Sequence, residues 1–164
     1  MLPYLLFAHP HTFIDVYADI NSSKNNQNIT FKWKFDEMTS QLLLMEFDAN
    51  MDGKLDKDEI EYIKTNYFES LVEYGYYTYI KVGNKSIKTK PFNFTSFIED
   101  NIKIVYQFDI NIKEEKKKHI AISLYDEERF SALILKKEFI KSNIKYKLSD
   151  IVNDIYFGYK LELK

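Results

Sequence analysis

Oxygen-bearing side chains recur at fixed intervals in one stretch, Asp48-Ala49-Asn50-Met51-Asp52-Gly53-Lys54-Leu55-Asp56-Lys57-Asp58-Glu59. Asp48, Asn50 and Asp52 hold positions one, three and five. Lys54 offers its backbone carbonyl at position seven. Asp56 is ninth and Glu59 twelfth. This is the D-x-[DN]-x-[DN]-G-x5-E pattern of an EF-hand calcium loop, met without a gap. A hard dication takes about six to eight oxygens at roughly 2.3–2.6 Å. Most of the side chains offered here are carboxylates, which favours Ca²⁺ over a soft metal. Gly53 stands sixth, where such a loop turns through positive φ. A plain acidic turn between two helices would account for the charges. It would not demand Gly at six and Glu at twelve together. With one loop and few methionines, the site reads as a structural clip rather than a switch.

A second group of candidates lies near the start. His9 and His11 flank Pro10. Imidazole suits Ni²⁺, Co²⁺, Cu²⁺ and Zn²⁺. Were the chain cut after Ala8, His9 would add a free α-amine, and His11 a third nitrogen. Pro10 has no amide proton, so the square-planar mode that uses a deprotonated second amide is closed. The other reading places both histidines on the edge of a first strand, since a residue before Pro is extended. His119 alternates with Ala121 and Ser123 and reads as an ordinary face residue. No enzyme is expected. Cysteine is absent, and there is no Gly-rich phosphate loop, H-E-x-x-H or G-x-S-x-G. Asp126-Glu127-Glu128 reads as a solvated turn.

These residues need a scaffold, and 164 residues suffice for one domain. The net charge of −2 argues against a nucleic-acid partner. Met1–Ala8 is apolar, ends in a small residue and is too short to span a bilayer. It reads as the remnant of a secretory signal peptide. The expectation is a single domain over 9–164, exported to the periplasm, with no transmembrane segment in the mature chain.

The fold class expected is α+β: an N-terminal β-hairpin, one EF-hand-like helix–loop–helix, then an antiparallel β-sandwich. Thr12 to Ile20 and Ile29 to Phe35 alternate apolar and polar residues and predict the hairpin, with a polar loop over 21–28. Asp36 is the predicted N-cap of a helix carrying Leu43, Leu44 and Phe47. Lys57 to about Glu73 predicts the second helix, with Ile60, Ile63, Tyr67, Phe68 and Leu71 inward. Period-two strands are expected over 76–82, near Ile87, and over 102–110, 120–124, 132–135, 144–148 and 156–163. The stretch 92–99 is aromatic and carries no clear period.

Several pieces together resemble a bacterial periplasmic family, domain-of-unknown-function family one thousand and seven. They are His9-Pro10-His11-Thr12-Phe13-Ile14-Asp15, Trp33-Lys34-Phe35-Asp36-Glu37, the loop 48–59, Phe68-Glu69-Ser70-Leu71, Tyr76-Tyr77-Thr78-Tyr79-Ile80, and Leu124-Tyr125-Asp126 with Phe130. The match is weakest from about Lys136. The resemblance implies a periplasmic component of an ABC-type transport system, often encoded beside nickel/cobalt transporters. A membrane metal transporter would then be the partner, with a divalent metal captured or presented at His9 and His11. The alternative is a calcium-stabilised structural or interaction module with no transition-metal role.

Overall fold

A computed structural model describes residues 11–113, 119–153 and 156–164. Two β-sheets share one apolar core and make a sandwich-like α+β fold. Strand β1 (Thr12–Ser23) buries Ile14, Val16, Ala18 and Ile20, and β2 (Asn26–Phe35) buries Ile29, Phe31, Trp33 and Phe35. This is the alternation that the pleat demands of a half-buried sheet.

The expected hairpin is therefore present, but it does not stand ahead of the sandwich. It is the middle of the first sheet, whose order is β5-β6-β2-β1-β8, with β9 also on β1. Here β5 is Phe92–Glu99, β6 Lys103–Lys113, β8 Ser131–Ile134 and β9 Ile140–Ser142. The second sheet runs β10-β11-β7-β3-β4. It is built from β3 (Thr78–Val82), β4 (Lys85–Ile87), β7 (Ile120–Tyr125), β10 (Tyr146–Val152) and β11 (Phe157–Leu163).

Three sequence expectations need correction. The stretch 21–28 is not an open loop. The strands pair through Asn21↔Asn28, Ser22↔Gln27 and Ser23↔Asn26. The stretch also bonds to other segments: the Asn111 side-chain amide donates to Asn28 Oδ1 at 2.8 Å, and the Ser22 backbone N–H donates to Asn143 Oδ1 at 2.8 Å, just beyond β9. Next, the sandwich is not wholly antiparallel, because β8 and β9 both run parallel to β1.

Third, the helix from Lys57 does not run uniformly to Glu73. Helix α2 covers Lys57–Ile63. A π-helical turn follows over Lys64–Phe68, then 3₁₀ turns over Glu69–Tyr77. A π-turn closes after five residues. It thus brings Ile63 and Phe68, five apart, onto one buried face. Gly75, Tyr76 and Tyr77 then take φ of 58°, 53° and 49° and turn the chain into β3.

Helix α1 (Glu37–Phe47) begins at Asp36, as expected. Asp36 Oδ1 accepts from the Thr39 amide at 2.9 Å, and Oδ2 from the Phe13 amide at 2.8 Å. One carboxylate therefore caps α1 and ties it to β1. Burial pushes its pKa up, but these amide bonds outweigh that and hold it below the ordinary value. Ser40, fully buried, accepts from the Ile104 amide at 3.0 Å and fastens α1 to β6. Among the described residues no helix is long and apolar enough to cross a membrane.

Gly158 marks the tightest approach in the second sheet. It pairs with Tyr125, and a Cβ placed on it would lie 2.2 Å from the Leu124 carbonyl oxygen. Its partner Tyr125 is the middle of a column of three rings. Tyr125 stacks on Tyr79 and on Tyr156, each at 4.2 Å between centroids.

Candidate metal centre

Helices α1 and α2 are joined by the acidic loop, in which five side chains accept hydrogen bonds from its own amides. Asp48 ends α1, its amide donating to the Leu44 carbonyl at 3.1 Å. Its Oδ1 accepts from the Asp52 amide at 3.0 Å and its Oδ2 from the Gly53 amide at 2.9 Å. Asn50 Oδ1 accepts from the Asp52 amide at 2.8 Å, and Asp52 Oδ1 from the Lys54 amide at 2.9 Å. Gly53 sits at φ +78°, where a side chain would be strained.

Asp56 is the N-cap of α2, accepting from the amides of Asp58 at 2.9 Å and Glu59 at 3.0 Å. Glu59 completes a capping box by accepting from the Asp56 amide at 2.9 Å. Its other oxygen accepts from the Ala49 amide at 2.8 Å. One nearly buried carboxylate, 8% exposed, thus spans the two ends of the loop.

The structure accordingly holds Asp48, Asn50, Asp52, Asp56 and Glu59 in one turn. It does not converge their oxygens. Among the described residues no three His, Asp or Glu side chains are gathered closely enough to grip a metal ion. The oxygens are instead turned onto the loop's own amides. Lys54 is exposed and meets the loop through its N–H. Among the described residues, no Lys, Arg or His pairs with Asp48, Asp52, Asp56 or Glu59. The donor set is all oxygen and its negative charge is uncompensated, which fits a hard dication.

Two histidines, His11 and His119, are among the described residues. His9 and the stretch Met1–Ala8 lie outside the described residues. His11 is exposed, its amide donating to the Phe130 carbonyl at 2.9 Å. His119 precedes β7, and its Nε2 is 3.3 Å from Glu162 Oε1. Strand β7 carries the chain from His119 to the turn that meets β1 near His11. At about 3.4 Å per residue, that strand puts roughly 20 Å of backbone between His119 and the turn. The two imidazoles do not form one site.

The turn at 126–128 is corrected in part. Asp126 is 4% exposed, so it is not solvated. It accepts from the amides of Glu128 and Ser131, each at 2.9 Å, and braces the corner between β7 and β8. The sequence reading also missed a cavity of about 180 Å³ between α1, the segment after α2, and the first sheet. Trp33, Phe35, Tyr67, Tyr77 and Tyr106 form its aromatic wall. Burial drives the Tyr106 phenol far above its ordinary pKa. A hydrogen bond to Glu46 is the main cause that pushes Tyr67 up to about 12. The signal available was that Trp33, Phe35 and Tyr106 all fall on inward positions of adjacent strands.

Comparison with known proteins adds a family and a relative. A family profile described as protein of unknown function (DUF1007) matches residues 1–148. It is the family that the sequence motifs resemble, and it extends past Lys136, where that resemblance was weakest. An uncharacterized 15.5 kDa protein in the trpE 3′ region of Spirochaeta aurantia is 28% identical over 98 residues. The match spans 58% of this chain and 69% of that protein.

Proposed function

The chain belongs to the DUF1007 family, and from that membership we propose that it is a calcium-clamped, non-enzymatic accessory domain of metal-ion transport in the periplasm. In this reading residues 48–59 are an EF-hand. Asp48, Asn50, Asp52, Asp56, Glu59 and the Lys54 carbonyl would take one Ca²⁺, which would hold α1 against α2. The observation that carries it is Glu59. Its buried carboxylate already reaches both ends of a loop whose sixth residue, Gly53, is in the left-handed conformation. A modest turn of the aspartates toward Glu59 would exchange loop amides for the ion.

Calorimetric titration with Ca²⁺ tests this, paired with thermal melting in calcium and in chelator. The affinity expected of a lone extracellular-type loop is about 10⁻⁴–10⁻³ M. Calcium at a hundred times its Kd adds about 2.7 kcal/mol. In a chain of this size that raises Tm by roughly 5–10 °C, taking 2–4 °C per kcal/mol. Glu59→Gln should lose most of that rise; in chelator it should also melt somewhat lower, because an amide side chain cannot accept from both the Ala49 and Asp56 amides. Absence of both heat and Tm change in the unmodified protein would end the reading.

Two versions of the accessory role remain, and one feature favours docking. Helix α1 exposes Met38, Leu42 and Met45 at 64%, 66% and 83%. The spacing i, i+4, i+7 puts them on one stripe. Contiguous apolar surface of this kind marks interaction sites, and methionine adapts to varied partners. The partner proposed is the outer face of a membrane metal transporter. In the second version His9 and His11 capture or present Ni²⁺, Co²⁺, Cu²⁺ or Zn²⁺, for which the exposure of His11 leaves access. Titrating these ions into protein beginning at His9, and into its His9→Ala/His11→Ala variant, separates the two. Tight binding lost in the variant supports metal presentation. Equal binding by both proteins, or none, leaves the docking version.

A further inference from the structure

Protein interiors leave few voids larger than a water molecule. The cavity beneath α1, about 180 Å³, is well above that, and it is a cleft partly open to solvent rather than a sealed void. An engineered apolar void of about 150 Å³ is large enough to admit benzene. The cavity is faced by both sheet and helices. Trp33, Phe35 and Tyr106 come from the first sheet, Leu43 from α1, Leu71 and Tyr77 from the segment after α2.

No lining residue carries a charge. The nearby Glu46 is engaged by the phenols of Tyr67 and Tyr62. Two donors in the wall are unused. The Trp33 indole nitrogen is buried without a hydrogen-bond partner. The Tyr106 side chain is 4% exposed, and among the described residues no hydrogen bond reaches its hydroxyl. A buried donor is normally paired, and the Trp33 nitrogen is an exception that calls for a reason.

Backbone strain points to the same place. Tyr76 and Tyr77 both take positive φ, a conformation unfavourable for bulky residues. Such strain concentrates at ligand clamps. Here it sets the Tyr77 ring over Trp33, 6.0 Å between centroids and 26° between planes.

We infer that this cavity binds a small, neutral, single-ring aromatic molecule bearing one oxygen acceptor, with the Tyr106 hydroxyl as the donor to that oxygen. The aromatic wall supplies stacking and edge contacts to the ring. No charged residue lines the wall, so an ion would enter without a counter-charge, which favours a neutral ligand. The inference does not rest on calcium binding and is to be read in calcium and in chelator alike.

Trp33 is the chain's one tryptophan, so its emission reports on the cavity directly. The probes are benzyl alcohol, toluene, benzoate and benzyltrimethylammonium. Benzyl alcohol should give a saturable change in Trp33 emission and in the amide shifts of Leu43 and Leu71. Toluene, lacking the acceptor, should bind about fivefold more weakly, the worth of one neutral hydrogen bond. Benzoate and the ammonium ion should not compete. Tyr106→Phe should reduce benzyl alcohol to the affinity of toluene and leave toluene unchanged. Leu43→Phe, which fills the space from the helix side, should abolish both. Near-UV circular dichroism checks that each variant keeps its packing. The inference falls if no neutral probe saturates, if Tyr106→Phe leaves the alcohol's advantage intact, or if the ammonium ion binds best.

Discussion

Phe68→Ala should unfold the protein at a much lower temperature. Phe68 sits in the π-helical turn, 3% exposed. Its ring stacks on Phe94 at 4.3 Å and meets Phe108 at 5.0 Å and Tyr76 at 5.1 Å. It is thus the plug that joins the helical segment to the first sheet. Removing a buried phenylalanine costs about 3–5 kcal/mol, through lost burial and the hole left behind. Tm should drop by roughly 6–20 °C, taking 2–4 °C per kcal/mol. Thermal denaturation followed at far-UV wavelengths measures it. A fall of only a degree or two would mean that the helical segment is not anchored through this ring. Phe68→Leu restores much of the volume and should recover about half of the loss.

Gly158→Ala should be the second most damaging change, though it adds one methyl group. The new Cβ would start 2.2 Å from the Leu124 carbonyl oxygen and 2.6 Å from Tyr125 Cβ. Both obstacles are fixed by strand pairing and cannot swing aside as a flexible side chain would. Strand β11 must therefore move off β7, weakening a ladder at the centre of the second sheet. Overpacking costs typically about 1–3 kcal/mol, occasionally more. A backbone obstacle puts this site at the upper end. The measurement is urea denaturation, with amide exchange read at Ile122 and Leu161. Faster exchange confined to these two strands is expected. Unchanged stability and protection would show that the sheet tolerates the methyl group and that the close approach carries no constraint.

Wherever a single element decides its own pattern, the sequence is readable. Alternation in β1 and β2 predicts the inward residues correctly, because one face of each is buried; in β6 it finds Ile104, Tyr106, Phe108 and Ile110 but misses Val105, buried on the other face. Asp36 is legible as a cap since the bond is made within four residues. The turn between α1 and α2 is legible for the same reason, since Asp48 and Asp56 bond to amides a few residues away. What failed depends on distant partners. The polar ends of β1 and β2 look like a loop until Asn111 and Asn143 arrive to bond them. The parallel pairing of β8 and β9 with β1 leaves no mark in either strand. The change of pitch after Ile63 is set by where Phe94 and Phe108 wait for Phe68, not by helix propensity. The cavity is assembled from separate elements, and no short window of sequence contains it.

The placement of β1 also governs the order in which the molecule can be completed. Of the described strands β1 leaves the ribosome first, yet its second flank is closed by β8 and β9, and Ser22 meets Asn143 across 121 positions. At about 5–20 residues per second, that gap amounts to roughly 6–24 s of synthesis. Throughout it the nascent hairpin presents an unsatisfied edge and an uncovered apolar face. Contacts so remote carry a heavy loop-closure penalty and slow the final step. A polypeptide released early, before the β9 segment emerges, would carry that open edge permanently.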